Sequence, residues 1–133
     1  MKYVYPAVFT PEDGKMLVSV PDLKGCHTFG NDLAEAIEMA VDAAETWLWD
    51  AENKKQTIPV PSGLQEAIIG YEGDGVFVNY IACDTDAYRK QYDSRAVNKT
   101  VTLPAWLKYQ AEQANAPFSK ILQDGLKEFL RAA

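Results

Sequence analysis

Asn98, Thr100 and Thr102 alternate with Lys99, Val101 and Leu103, directly ahead of Pro104. In an extended chain the two sets point to opposite faces. One face then carries small amide and hydroxyl groups, and the other is apolar apart from Lys99 at the strand's edge. The chemistry available to such a row is recognition: groups of this kind hydrogen-bond to base edges in the major groove of DNA. A single strand with two short helices cannot bury its own apolar side. The segment therefore calls for a second copy, with Val101, Leu103 and Trp106 as dimerisation residues. Two such strands side by side make a polar ribbon that fits a major groove.

Other residues with reactive side chains make a weaker pattern. Cys26 and His27 are adjacent, but neighbours on a strand face opposite ways and cannot hydrogen-bond there. The chain has one histidine, and one His with scattered acids does not match zinc-ligand spacing. Asp22 lies in Pro-Asp-Leu-Lys-Gly, a turn-forming sequence with a turn hydrogen bond as its expected role. We expect no catalytic residues, metal or cofactor. Glu35, Glu38, Asp42, Glu45 and Glu52 recur at helical spacing, with Trp49 in the same row. Like charges so spaced cost a helix roughly 0.2–0.5 kcal/mol per pair. The row either serves a basic partner, with Trp49 as an interface anchor, or is a solvated face with Trp49 packed on a neighbour.

The elements that hold these residues follow from pattern. A chain of 133 residues with 47% hydrophobic and 24% charged residues fits one ordinary domain or two small ones. Residues 1–90 hold 7 Lys/Arg and 15 Asp/Glu, net −8, whereas residues 91–133 hold 6 and 4, net +2. An acidic body therefore carries a mildly basic tail, and only the tail suits DNA. No apolar run is long enough to span a bilayer. The N-terminal residues do not read as a signal peptide. With two cysteines, Cys26 and Cys83, and no CxxC pair, a reduced cytoplasmic protein is the simpler expectation.

Lys2–Phe9 reads as a strand, Glu12-Asp13-Gly14 as a hairpin turn, Met16–Val20 as the returning strand and Gly25–Phe29 as a third. Asn31 or Asp32 caps a helix running to about Glu52. Its apolar stripe is expected at Leu33, Ile37, Ala40, Val41, Ala44, Trp47 and Leu48. Pro59 and Pro61 keep the next segment extended, and Val76–Cys83 is the final strand of this part. In the tail, Pro104 suits the first helical position. Leu107, Ala111 and Ala114 form the apolar side of one helix. Asn115-Ala116-Pro117 is a break, and Ile121, Leu122, Leu126, Phe129 and Leu130 form the apolar side of a second helix. The expected class is α+β, with domains at 1–90 and 91–133.

The tail, from Val97 through Thr-Val-Thr-Leu-Pro to Leu130, resembles the ribbon-helix-helix family. The resemblance implies base contacts from Asn98, Thr100 and Thr102 and a phosphate held near Phe118 and Ser119 at the start of the second helix; Lys99, which shares the parity of Val101 at the strand's edge, is expected to have a phosphate role at best. The row departs from the many members that carry Arg or Lys there, which argues against strong guanine contacts. The first 62 residues resemble the HicB antitoxins. The matching text is Tyr5-Pro6-Ala7-Val8-Phe9, Val20-Pro21-Asp22-Leu23-Lys24-Gly25-Cys26-His27-Thr28-Phe29-Gly30, Ala34-Glu35-Ala36-Ile37 and Ile58-Pro59-Val60-Pro61-Ser62. That resemblance implies a truncated, inactive RNase H-like domain that binds and covers a small basic mRNA-cleaving HicA-like ribonuclease toxin. It also implies a C-terminal module that represses the operon through operator DNA, as a dimer through residues 97–133 with a tetramer left open. Glu35, Glu38, Asp42, Glu45 and Trp49 are the candidate toxin-binding residues. Two alternatives stand beside this: a repressor whose acidic domain senses a ligand or another partner, and a small hydrolase using Asp22 and His27.

Overall fold

Strand β1 (Lys2–Glu12) returns as β2 (Lys15–Ser19) through Asp13 and Gly14. Both turn residues have positive φ, 51° and 77°, as a two-residue type I′ hairpin requires, and Asp-Gly is a favoured pair for it. β3 (His27–Gly30) pairs with β2, and β4 (Phe77–Asp84) pairs with the free side of β1. The result is an antiparallel four-stranded sheet in the order β3-β2-β1-β4. The computed structural model describes residues 1–132 and divides them into two compact units, one spanning Met1–Arg95 and the other beginning at Ala96.

Helix α1 (Leu33–Asn53) packs on one face of this sheet. Asp32 caps it by accepting the Glu35 N–H at 2.8 Å. At the other end Lys55 takes a left-handed conformation, φ 55°. The Lys55 and Gln56 N–H groups bond back to Glu52 and Ala51, a Schellman closure. The buried stripe keeps Ala40, Ala44 and Leu48 of the one expected, with Val41 and Trp47 partly buried beside it, and departs at Leu33 and Ile37. It is Ala36, Ala40, Ala44, Leu48 and Ala51, while Leu33 and Ile37 are more than 40% exposed. The reason is close approach. A Cβ on Gly30 would lie 2.3 Å from the Ala36 backbone nitrogen, so the helix rides on the sheet at a distance that suits alanine. Opposite it, Tyr5, Ala7, Phe9, Val18, Val20, Leu23, Ile81 and the two cysteines complete the core.

Two helices of this unit carry no clear sequence signal. α2 (Leu64–Ala67) is a single turn, and α3 (Thr85–Tyr92) is two turns of mostly polar residues. Asp84 starts α3 by accepting the Asp86 and Ala87 N–H groups at 3.0 and 3.2 Å.

The second unit contains α4 (Ala105–Gln113) and α5 (Phe118–Ala132). Pro104 is the N-cap of α4 rather than its first residue, with ψ 141°, and its carbonyl accepts from Leu107 and Lys108. Asn115, at φ 53°, closes α4 by bonding to Glu112 while Ala116 bonds to Ala111. The strand expected at 98–103 is absent from the single chain: residues 93–104 form neither helix nor strand. A strand exists by its ladder, and this segment has no partner strand among the described residues.

Candidate functional site

On α1 the acidic row is divided. α3 lies against its C-terminal part: the Thr46 hydroxyl meets the Tyr88 hydroxyl at 3.0 Å, and the Trp49 and Tyr88 rings lie 5.8 Å apart. Glu45 accepts the Asp84 N–H at 2.7 Å. Glu52 accepts from the Tyr3 hydroxyl (2.7 Å), the Thr85 hydroxyl (3.0 Å) and Arg89 (3.0 Å). Burial works against the Glu52 charge, but hydrogen bonds from Tyr3, Thr85 and Arg89 outweigh it and hold the carboxyl below its usual range. Burial, reinforced by Glu52, pushes Tyr3 up to about 12. Glu45 and Trp49 are thus tied into the unit's own packing. Glu38 and Asp42 are exposed and enter no ion pair among the described residues, and Glu35 is half-buried beside Asn31 at 3.4 Å. The sequence puts these acids in one row; only the docking of α3 separates the occupied part from the free part.

The expected role of Asp22 is a turn hydrogen bond, but the turn is closed by backbone groups and the Asp22 carboxylate is engaged by Ser62. Its two oxygens accept from the Ser62 N–H (2.9 Å) and hydroxyl (2.5 Å), and the Tyr5 hydroxyl donates to the Pro59 carbonyl. Three separated pieces of text, around Tyr5, Asp22 and Pro59–Ser62, are therefore bound together. His27 is exposed and pairs with its cross-strand neighbour Ser19 at 2.9 Å. Cys26 is buried just ahead of β3, and burial raises its thiol pKa. Cys83 is pushed up to about 12 by burial, then by Glu45 and Cys26. In both, burial disfavours the thiolate, which is the nucleophilic form. Among the described residues no group of three or more His, Cys, Asp or Glu is arranged to hold a metal.

In the second unit no residue of α4 or α5 is buried. Val101, Leu103, Leu107, Ala111, Phe118 and Ile121, with Lys99 beside them, line an apolar groove of about 480 Å³. Asn98 and Thr100 are exposed and absent from its lining. Thr102 borders a shallower depression with Lys108 and Glu112. Ser119 sits on the rim of the main groove in the first turn of α5. Trp106 is 62% exposed and lines neither hollow. Leu126, Phe129 and Leu130 continue an exposed apolar side along α5.

A family model described as the HicB_like antitoxin of bacterial toxin-antitoxin systems matches residues 5–122. No curated protein sequence matches significantly. Among solved structures, a toxin-antitoxin complex from Streptococcus pneumoniae is similar at TM-score 0.61 and 22% identity, covering 96% of this chain and 99% of that one. The antitoxin HicB of Burkholderia pseudomallei is similar at TM-score 0.54 and 20% identity, covering 98% of both chains. A chain of the HicA3 and HicB3 toxin-antitoxin complex is similar at TM-score 0.52 and 20% identity, covering 62% of this chain and 99% of that one. At these identities the likeness is one of fold. No helix among the described residues is long and apolar enough to cross a membrane.

Proposed function

Since this chain belongs to the HicB-like antitoxin family, we propose that it binds and neutralises a small HicA-like ribonuclease toxin in the cytoplasm and represses its own operon. The observation that carries this is the reach of the family match, residues 5–122, which takes in most of both units. In this reading the first unit is a truncated RNase H-like domain without enzymatic activity. It meets the toxin through acidic surface, with Glu35, Glu38 and Asp42 as the accessible carboxylates and Glu45 and Trp49 as the residues that fix the helix face behind them. Net −8 over residues 1–90 favours a basic partner and speeds its encounter.

The second unit, in the same reading, is a ribbon-helix-helix module. Two copies of the segment from Asn98 to Leu103 pair as an antiparallel ribbon, and the apolar groove of each copy closes against the other. The supporting feature is a unit of two helices with no buried residue among the described ones and a continuous apolar side, which is too small to be stable uncovered. Asn98, Thr100 and Thr102 then face DNA, Phe118 and Ser119 open α5 toward a phosphate, and Lys99 reaches past the apolar row to the backbone. Trp106, on neither hollow, joins the interface from its rim.

Purifying the chain from its native host and identifying what accompanies it tests the proposal. A small basic ribonuclease that loses activity in the complex is the expected companion. A small-molecule ligand or a non-nuclease partner in its place would refute the antitoxin reading.

A further inference from the structure

We infer that Asn98, Thr100 and Thr102 select A·T base pairs, so that the DNA site of this chain is a two-fold symmetric sequence with A·T pairs under the ribbon. The inference rests on the ribbon reading above and goes further by naming what the ribbon reads. Lys99 lines the apolar groove together with Val101 and Leu103, so it shares their face and is withdrawn from the reading row. Asn98 and Thr100 are exposed and line neither of these two hollows, and Thr102, also exposed, borders only the more open one beside Lys108 and Glu112. Lys108 and Lys120 lie on helices beside acidic partners, at 3.9 Å from Glu112 and 2.8 Å from Asp124.

The base edges decide what such a row can read. Guanine offers two acceptors, O6 and N7, and is read by a side chain that donates twice, Arg or Lys. The row has neither. Adenine offers the N7 acceptor beside the N6 donor, and the planar carboxamide of Asn98 can set one of its two N–H donors beside its carbonyl acceptor to match. A threonine hydroxyl donates or accepts and so discriminates little by hydrogen bonding, but its methyl packs on the C5-methyl of thymine. All three positions therefore lean toward A·T, and Asn98 carries the sharpest preference. Two copies related by a dyad place each preference twice, at symmetric positions.

The test uses the full chain at fixed salt with a library of randomised DNA duplexes, followed by binding to single selected duplexes. We expect a palindromic enrichment with A·T pairs at the ribbon positions. Replacing the Asn98-dependent pair by G·C should weaken binding roughly tenfold to a hundredfold. Asn98→Ala should erase the preference at that symmetric pair alone, and Asn98→Arg should turn it to G·C. Enrichment of G·C at the ribbon positions by the unaltered chain, or an Asn98→Ala protein with every preference intact, would overturn the inference while leaving the ribbon in place. A folded chain that enriches no sequence would overturn the ribbon reading as well.

Discussion

Single side chains in the first unit hold distant text together, and their loss has readable consequences. Asp22 ties the turn after β2 to the proline-flanked segment through both Ser62 groups. Asp22→Ala removes two hydrogen bonds to a charged, half-buried acceptor, and should cost about 1.5–3 kcal/mol in urea denaturation. Glu52 gives a pH signature. Its carboxyl is held below the usual range in the folded chain, so the unfolded state binds the proton more readily. Its contribution is present in full above the ordinary glutamate value, about 4.3, and fades as pH falls through the lower folded value. Glu52→Gln should therefore be less stable than the natural chain at neutral pH, and the gap should close as stability is measured at successively more acidic pH below about 4. In the second unit, Asn98→Ala with Thr100→Ala should abolish specific DNA binding and leave toxin neutralisation intact, because both side chains are exposed. Lys99→Ala should weaken binding to all sequences and lower the salt slope by about one unit.

Helices and strands meet here at distances that fix residue size. Gly30 is needed for proximity: an added methyl would fall 2.3 Å from the Ala36 nitrogen, a backbone atom that cannot swing aside. Gly30→Ala must push α1 off β3 and should cost about 1–3 kcal/mol or more by thermal melting. The same closeness explains why alanines rather than Leu33 and Ile37 make the buried stripe. Helical periodicity finds an apolar face, but it weighs leucine above alanine and cannot know how near the sheet lies. α3 was not legible for a related reason. Thr85–Tyr92 is short and polar, and what holds it is external: Tyr88 on Thr46 and Trp49, and Arg89 on Glu52 and Asn53.

For the molecule as a whole, the two units should separate in function. Residues 1–95 carry the sheet, α1 and α3, and should fold alone, rescue cells from the toxin and lack DNA binding. Ending the chain at residue 90 would remove Tyr92, whose ring lies 4.7 Å from that of Tyr88, and should lower the melting temperature relative to 1–95. A fragment 1–95 that folds but fails to rescue would put part of the toxin contact on the second unit. Val101→Asp would bury an unpartnered charge in the proposed shared core, a change of several kcal/mol. Sedimentation should show the dimer lost, and DNA binding should go with it, while the first unit keeps its fold. A Val101→Asp protein still dimeric through residues 97–133 would sink the ribbon.

The order of strands and the long helix, the hairpin at Asp13-Gly14, the cap at Asp32 and the break at Asn115 were all written locally. Each depends on one residue's backbone preference or on a short alternation, and such signals survive without tertiary context. What the three-dimensional arrangement alone decided is which acids are free and which are tied, that Ala36 and Ala51 rather than Leu33 and Ile37 join Ala40, Ala44 and Leu48 in the buried stripe of α1, and that Asp22 answers to Ser62. These are questions of what lies opposite a residue, and opposition across 40 positions leaves no trace in local spacing. The segment from Asn98 to Leu103 marks the same limit one level up: its alternation is plain in the sequence, yet a strand needs a neighbour, and one chain does not supply it.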